Sequence, residues 1–388
     1  MRRVLLALEP PDGGVAENVA ALAVNLGTYG WEVEVAGPPQ ATIYPRLAAA
    51  GVHVHRLPLS RRYRDLRREA AALRRLSELL RDGSYDLVHC HSAKAGVLGR
   101  LAAWHANVPA VYTPHALPFV GPFGLGRRVG ARAAERALAP LTARIICVSE
   151  HERREATAAG LGGAARLRVV HNGCAPCDDS IARDPRLAAR GQAGPLAGAV
   201  SVLRRQKRLD VLLDASPEVL RRVPAARLVV VGNGPLAGPL RRHAERLGLA
   251  DEPRFELLPF TPPVERYLRA LDVFVLSSDW EGLPIAVLEA LACGVPQVAT
   301  NVGGTAEAVT AETGVLVPPA DPAALAEALV ALLQDDERRQ RMRQASILRH
   351  GRAFTLERMV TTTAGVYEEA LHVHTPRQRL ARAYRGGR

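Results

Sequence analysis

Short apolar runs alternate with helical patterns along this chain, and the alternation begins a second time near residue 198. The first series extends from residues 4–8 to residues 167–173, and the second from 198–203 to 314–317. A repeated strand, helix, strand order predicts right-handed crossovers and a parallel sheet that is covered on both faces. The fold class is therefore α/β, with two doubly wound parallel sheets.

The break between the two series divides the chain. Periodicity is lost over residues 174–195, which predicts a linker over 176–196 between a Rossmann-like domain of residues 1–175 and a second one of residues 197–353. Residues 354–388 are expected to form a helix and a basic tail that pack back toward the first domain. Doubly wound sheets bind ligands beyond the carboxyl ends of their strands, so the site is expected in a cleft between the domains.

Composition supports this assignment and excludes other classes. Hydrophobic residues make up 48% of the chain and aromatic residues only 4%, which favours cores of Ala, Val and Leu over an aromatic-rich β-sandwich. No run reaches the roughly 18 apolar residues that cross a bilayer, and the first residues resemble a strand, so a cytoplasmic location is expected. An odd number of dispersed cysteines does not describe a disulfide framework, which agrees with a reducing compartment; they are Cys90, Cys147, Cys174, Cys177 and Cys293.

Charge adds one candidate surface. The net charge is +12, and basic residues are densest over Arg61–Arg75, at a spacing that predicts an amphipathic helix. Two interpretations stay open: a solvated helix face, or peripheral attraction to anionic phospholipid or a phosphorylated substrate. Nucleic acid is not an expected partner, because the arginines are not interleaved with aromatic residues.

The segment of residues 278–309 is the most specific in the chain. Glu281 and Glu289 lie eight positions apart, and Gly282 and Pro284 stand between them where a strand-end loop turns into a helix. The N-terminal end of a helix favours an anionic ligand such as a diphosphate. The two carboxylates suit the hydroxyl groups of a ribose and a sugar on either side of it.

This segment resembles a known family, the retaining nucleotide-sugar glycosyltransferases of family-4 type, which have the two-domain GT-B fold. The stretch EGLPIAVLEALACGVPQVAT matches their E-x7-E signature, and the resemblance covers nearly the whole chain. Supporting matches are PDGGVAENVAAL, DLVHCHSAKAGVLGRLAA, VYTPHAL, ICVSEHERREA, VVHNG, LRRQKRLDVLLDA and VVGNGPL.

The resemblance implies roles for residues of the second half. Glu289 would bind the ribose of the nucleotide, Glu281 the hydroxyls of the donor sugar, and Lys207 the diphosphate. The loop before the helix would contribute to substrate binding through Gly282, Leu283 and Pro284. Glu281 and Lys207 are thus predicted catalytic residues.

The resemblance also implies roles in the first half. Gly13 and Gly14 would form a glycine loop after the first strand, where the backbone closes on the donor. His115 would lie beside the transferred sugar, as a third catalytic residue. His89 and His91 supply only a partial metal-ligand set, and we interpret them as a strand end that opens toward the acceptor.

One position departs from the family pattern. The strand before the lysine usually ends Gly-Arg-Leu, with its Arg on the diphosphate, but here Ser201, Val202 and Leu203 occupy these places. Arg204 and Arg205 follow, and either guanidinium could reach the same phosphates. Arg204 is the preferred candidate.

No metal or resident cofactor is expected, since the donor is a co-substrate. The Cys174 and Cys177 pair lacks a second CxxC, and neither Asp178-Asp179 nor Asp335-Asp336 resembles the metal-binding DxD of the other major glycosyltransferase fold.

The predicted reaction transfers a hexosyl-type sugar from a nucleoside diphosphate to an acceptor hydroxyl with retention of configuration. The matches in the first half resemble members that act in exopolysaccharide or capsule assembly, which favours a lipid-diphosphate-linked glycan as acceptor over a soluble aglycone. Two alternatives stay open: a nucleotide-sugar 2-epimerase, and a non-catalytic nucleotide-sugar-binding subunit. The identities of the base, sugar and acceptor, the linkage and the oligomeric state also stay open.

Overall fold

The computed structural model describes residues 1–59, 66–188 and 194–373. These residues form two compact units: Met1–Asn172 together with the chain from Leu356 onward, and Gly173–Thr355. Among the helices of this described part, none is both long and apolar enough to cross a membrane. The basic residues Arg61, Arg62 and Arg64 and the predicted tail after residue 373 lie outside the described residues.

The first unit is built on a parallel sheet of seven strands in the order β3-β2-β1-β4-β5-β6-β7. The strands are β1 Arg2–Leu8, β2 Trp31–Gly37, β3 His53–Arg56, β4 Leu87–His91, β5 Ala110–Thr113, β6 Arg144–Cys147 and β7 Leu167–Val169. Its helices are α1 Gly14–Asn25, α2 Tyr44–Ala49, α3 Leu66–Asp82, α4 Ala93–Ala106, α5 Leu125–Leu138 and α6 Glu150–Ala158.

Strand β1 shows why this sheet is buried on both faces. Successive side chains of a strand point to opposite faces, and Leu6 packs in one core layer while Leu5 packs in the other. Such strands appear in the sequence as continuous apolar runs. In register, Leu8 of β1 lies opposite His91 of β4, and His91 lies opposite Thr113 of β5. The polar ends of β4 and β5 therefore meet at the carboxyl edge of the sheet.

The second unit repeats this architecture with six parallel strands in the order β10-β9-β8-β11-β12-β13. The strands are β8 Leu196–Val200, β9 Arg227–Val231, β10 Phe255–Leu258, β11 Val273–Leu276, β12 Gln297–Thr300 and β13 Gly314–Val317. The helices are α7 Pro185–Ala188, α8 Leu209–Arg222, α9 Ala237–Arg246, α10 Glu265–Leu268, α11 Ile285–Ala292, α12 Thr305–Ala308, α13 Pro322–Gln334 and α14 Asp336–Ala353. The last helix, α15 Leu356–Leu371, belongs to the first unit.

The predicted α/β class with two doubly wound parallel sheets is confirmed. Local differences have local causes. Helix α11 begins at Ile285, because the preceding Pro284 adopts an extended backbone with ψ 118° and is the N-cap. Strand β8 begins two residues before the predicted run of 198–203. The short helices α2 and α7 were not predicted, since four to six residues are too few to show a helical period.

The segment predicted as a linker is anchored where the structure describes it. Asp184 is fully buried, and its carboxylate accepts hydrogen bonds from the Arg186 side chain and pairs with Arg266 at 3.0 Å. A buried carboxylate needs such partners. Residues 173–188 therefore pack as part of the second unit.

Candidate active site

Strand order locates one switch point in each unit. In the first sheet the chain leaves β1 for β2 on one side, and later returns to place β4 on the other. In the second sheet β8 lies between β9 and β11 in the same way. The crevice at such a reversal, beyond the carboxyl ends of the strands, is where doubly wound sheets bind ligands. The predicted site residues follow β1, β4 and β5 in the first unit, and β8 and β11 in the second.

An ion pair occupies the switch point of the second unit. Lys207, in the 3-10 turn after β8, donates to Oε1 of Glu281 at 2.6 Å. The Ser278 hydroxyl donates to the same oxygen at 2.7 Å, and Gln206 donates to Oε2 at 3.3 Å. Glu281 is only 8% exposed. Each carboxylate oxygen accepts about two hydrogen bonds, so Oε2 retains one acceptor position for a ligand hydroxyl.

The loop that carries Glu281 is held by backbone contacts that the sequence did not reveal. A Cβ atom on Gly303 would collide with the carbonyl oxygen of Glu281, so this position requires glycine. The next amide, of Gly304, donates to the carbonyl of Gly282 at 2.7 Å, and the Thr300 hydroxyl donates to that of Ser278 at 2.8 Å. The sequence signal for this support is the Gly303-Gly304 pair near the end of the 278–309 segment.

Three arginines flank the lysine. Arg204 is partly buried with an extended backbone, whereas Arg205 is exposed. Arg208, which the sequence did not single out, has a positive φ of 42° and pairs with Asp210 at 3.0 Å and with Asp279 at 3.0 Å. The hydrogen bond that Arg208 donates to Asp210 raises the pKa of Arg208. Arg208 therefore ties the lysine turn to the loop after β11.

Helix α11 follows this loop and carries Glu289. That side chain is partly buried, and it lies one turn before the helix ends at its C-cap, Cys293. The loop residues Gly282, Leu283 and Pro284 are all buried. The structure thus brings Lys207 and Glu281 into contact, and connects Glu289 to them through the same loop and helix.

Two cysteines are bonded to each other, although the dispersed cysteines of the sequence did not indicate a disulfide framework. Cys177 and Cys293 form a disulfide across 116 positions of sequence, with their Cα atoms 4.9 Å apart. Spacing could not show this pairing, because the two residues meet only when the second unit folds. Cys90, Cys147 and Cys174 remain free.

The glycine loop of the first unit has the backbone that its sequence favours. Gly13 has φ 77°, a conformation that side chains disfavour. It is the N-cap of α1, and its carbonyl accepts the amide of Glu17 at 3.1 Å. Gly14, the first residue of the helix, is exposed. At these two positions the loop between β1 and α1 therefore presents backbone and no side chain.

Histidines cluster at the switch point of the same sheet. His89 and His91, on one face of β4, have ring centroids 3.9 Å apart. Nδ1 of His91 lies 3.0 Å from Nε2 of His115, in the loop after β5. Both nitrogens of His89 are bonded, to Tyr367 of α15 at 2.7 Å and to Thr113 at 2.7 Å. His89 is thus held inside the unit, and His91 connects it to His115.

Burial keeps these histidines uncharged. It lowers the pKa of His115 to about 3 and holds those of His89 and His91 well below the usual value. His115 itself has a positive φ of 56°, and Ala116 one of 109°. Non-glycine residues adopt such backbones only where the surroundings enforce them.

Glu152 of α6 enforces that backbone, a role that sequence analysis missed. Its carboxylate accepts the amide of Ala116 at 2.8 Å and the amide of Val148 at 2.7 Å. The residue is 3% exposed. Its position in the motif ICVSEHERREA was visible, but its partner Ala116 lies 36 residues earlier.

A group that could hold a metal ion lies away from both switch points. Glu34, His53 and His55 bring three ligand atoms within 4.8 Å of one another. The carboxylate already accepts hydrogen bonds from His55 at 2.5 Å and from Tyr85 at 2.6 Å, and it pairs with Arg3. Its hydrogen bonds lower the pKa of Glu34 against the effect of burial. We assign the group a structural role.

Comparisons with known proteins agree with this geometry. The family described as Glycosyl transferases group 1 matches residues 194–335, and the Glycosyl transferase 4-like domain matches residues 13–173. A D-inositol 3-phosphate glycosyltransferase from Acidothermus cellulolyticus is 32% identical over 398 residues, covering 92% of this chain and 86% of the relative.

A second relative and a solved structure extend the comparison. The UDP-Gal:alpha-D-GlcNAc-diphosphoundecaprenol alpha-1,3-galactosyltransferase of Escherichia coli is 29% identical over 280 residues, covering 70% of this chain and 72% of the relative. The crystal structure of HepE from Anabaena, in complex with UDP and glucose, superposes with a TM-score of 0.79 at 21% identity, covering 95% of this chain and 100% of that one. Together with two Rossmann-like sheets and an E-x7-E segment at a switch point, these matches show that the chain belongs to the group 1 glycosyl transferases and is a glycosyltransferase of the GT-B fold.

Proposed function

We propose that this enzyme transfers a hexosyl-type sugar from a nucleoside diphosphate to an acceptor hydroxyl with retention of anomeric configuration. The observation that carries the proposal is the contact of 2.6 Å between Lys207 and Glu281, beside the N-terminal end of α11. An ammonium has three hydrogens to donate. Pairing with Glu281 uses one of them and fixes the others for a diphosphate.

In the proposed step the acceptor oxygen forms a bond to the anomeric carbon on the face from which the diphosphate departs. The bond between that carbon and the diphosphate oxygen breaks, and the acceptor proton passes to the departing oxygen. Lys207, Arg204 and the N-terminal end of α11 stabilise the negative charge that develops. Glu289 holds the ribose, Glu281 accepts from a sugar hydroxyl, and His115 orients the sugar. The glycine loop at Gly13 and Gly14 lets backbone approach the donor.

A uridine nucleotide is the first donor to test. The structures of Anabaena HepE contain UDP, UDP-glucose, or UDP with glucose, and the Escherichia coli relative is named for UDP-Gal. These proteins support a UDP-hexose as donor here.

Two acceptor classes have support. The sequence resemblance and the Escherichia coli relative favour a lipid-diphosphate-linked glycan, whereas the D-inositol 3-phosphate glycosyltransferases favour a soluble phosphorylated polyol. Both acceptors carry phosphate, which suits the excess of basic residues in this chain. We place the lipid-linked glycan first, because the first unit also carries a surface suited to lipid.

The exposed side chains suited to lipid are on two helices of the first unit, α3 and α5. Arginines 67, 68, 74 and 75 of α3 are exposed. On α5, Leu125 is 76% exposed and Val129 is 59% exposed, one turn apart on the same face. Exposed Arg127 and Arg128 lie between them in sequence. Apolar side chains flanked by arginines fit the interface of an anionic membrane, so peripheral contact is part of the proposal.

Calorimetry with UDP, and with GDP and ADP in parallel, tests the donor assignment. Glu289→Ala is expected to weaken binding of the preferred nucleotide about 10- to 100-fold, because a lost charged hydrogen-bond acceptor costs about 1.5 to 3 kcal/mol. The matched control is Glu312→Ala, at an exposed turn of the same unit, which should bind like the wild type. A folded Glu289→Ala variant with unchanged affinity would remove the ribose assignment.

A further inference from the structure

His91 is the most enclosed member of the histidine cluster. Its side chain is 0% exposed. Nδ1 contacts Nε2 of His115 at 3.0 Å, and the ring lies beside that of His89. The other nitrogen, Nε2, is buried and has no hydrogen-bond partner within the described residues. A buried polar atom without a partner is uncommon in a folded protein and calls for an explanation.

The number of hydrogens on the two rings explains why Nε2 of His91 has no partner. Both rings are uncharged, because burial lowers the pKa of each, so a single hydrogen lies between Nδ1 of His91 and Nε2 of His115. If it belonged to His115, the hydrogen of His91 would sit on Nε2, as a buried N–H without an acceptor. Orphaned N–H groups are rarer in proteins than acceptors with unused lone pairs. The hydrogen therefore belongs to Nδ1 of His91, and Nε2 keeps only a lone pair.

This arrangement determines the tautomer of His115. Because Nε2 of His115 accepts from His91, the ring must carry its own hydrogen on Nδ1. The loop is not free to compensate, since His115 and Ala116 both have positive φ and the Ala116 amide is bonded to Glu152 at 2.8 Å. The ring can thus offer a fixed N–H donor to a ligand.

We propose that His91 is a positioning residue that fixes His115 as its Nδ1–H tautomer, so that His115 donates a hydrogen bond to an oxygen of the donor sugar. The contact with sugar rests on the proposed function; the tautomer does not. An uncharged donor also suits this place, because an imidazolium would repel the positive charge that develops on the sugar during transfer.

Two substitutions separate the hydrogen bond from packing. His91→Asn retains an N–H group near the position of Nδ1, whereas His91→Phe fills the space with no donor. We expect His91→Phe to lower kcat about 10-fold and to leave UDP affinity unchanged. We expect His91→Asn to retain most of the wild-type kcat. His105→Phe, at an exposed histidine on α4, is the matched control.

Nitrogen-15 NMR of histidine-labelled protein tests the tautomer directly, with the His115 signals assigned from a His115→Ala variant. Protonated Nδ1 and bare Nε2 on His115 in the wild type, lost in His91→Phe and kept in His91→Asn, would support the proposal. A hydrogen on Nε2 of wild-type His115, or a His91→Asn enzyme as slow as His91→Phe, would overturn it. The NMR result needs no sugar, so a failure of the proposed function would appear only in the kinetics.

Discussion

The two units share one sheet architecture, but the side chains at their switch points are charged in one unit and uncharged in the other. In the second unit the residues are charged and paired, as in the contacts of Lys207 with Glu281 and of Arg208 with Asp279. In the first unit they are buried histidines that stay uncharged. Cations suit a diphosphate, whereas neutral donors and acceptors suit hydroxyl groups. Strand order thus locates both crevices, and the side chains determine which part of the reaction each can serve.

The units also differ in how they hold those residues. The second relies on ion pairs and on the disulfide between Cys177 and Cys293 at the end of α11. The first relies on backbone, with positive φ at His115 and Ala116 held by the carboxylate of Glu152. A separate experiment tests each of these differences.

The largest expected effect is on the charged side. Lys207→Ala should lower kcat about 100- to 1,000-fold, since removing one preorganised donor to a developing oxyanion has that effect. Lys207→Arg, which keeps the charge, should retain more of the rate. Steady-state kinetics with a UDP-hexose measure both. A folded alanine variant with normal kcat would show that the charged crevice does not serve the leaving diphosphate.

Reducing the disulfide should affect only the second unit. Closing a loop of 116 residues typically contributes about 2 to 4 kcal/mol to the free energy of unfolding. Dithiothreitol should therefore lower the urea stability of the wild type but not of Cys177→Ser, which has no bond to reduce. Hydrogen exchange should place the loss in α11 and its neighbours. Equal loss of hydrogen-exchange protection in both units would contradict the expectation that the disulfide stabilises only the second unit.

Acid should weaken the first unit through its histidines. Their pKa values lie below 6.5 in the folded state, so below pH 6.5 the unfolded chain binds protons that the native one does not. Stability then falls as pH falls, by up to about 1.4 kcal/mol per pH unit for each histidine. Urea titrations from pH 7 to 4.5 measure the slope. The free energy of unfolding should change less steeply with pH in His91→Asn, by the contribution of one histidine. An unchanged slope would mean that His91 is protonated when folded.

The choice between Arg204 and Arg205 sharpens the account of the charged crevice. Arg204 is partly buried and Arg205 is exposed, so Arg204→Ala should reduce kcat/KM about 10-fold more than Arg205→Ala. Introducing Val202→Arg should restore part of the rate in the Arg204→Ala background. Equal small effects would leave the diphosphate to Lys207 and the helix end.

The smallest effect concerns the membrane surface of the first unit. Flotation with vesicles containing phosphatidylglycerol should recover the protein at low salt and lose it at high salt, because exposed charges are screened over about 10 Å at 0.1 M. Leu125→Ser with Val129→Ser should reduce recovery. Leu348→Ser, at a residue of the second unit that is 58% exposed, should not. Equal recovery on neutral vesicles would indicate that the exposed residues of α3 and α5 are ordinary solvated helix faces.

Sequence predicted the features that depend on neighbouring residues. Apolar runs and helical periods located both sheets, because buried parallel strands are apolar throughout. The E-x7-E segment was recognisable because Glu281, Gly282, Pro284 and Glu289 lie within one loop and helix.

Features that depend on distant residues were missed. Gly303 supports Glu281 from 22 positions away, Glu152 binds Ala116, and Cys177 meets Cys293. Each partner has an ordinary local sequence. These contacts form only when the fold brings distant segments together, and no local sequence pattern predicts that.

The central claim is that the charged crevice serves glycosyl transfer from a nucleoside diphosphate. Mass spectrometry of reactions that combine UDP-, GDP- and ADP-hexoses with lipid-diphosphate-linked glycans and phosphorylated polyols tests it most directly, with Lys207→Ala as the inactive control. We predict an acceptor heavier by one hexosyl group, one nucleoside diphosphate released per transfer, and an anomeric NMR signal with the configuration of the donor. An epimerised donor without acceptor, an inverted product, or a donor that binds and is never consumed would contradict the account.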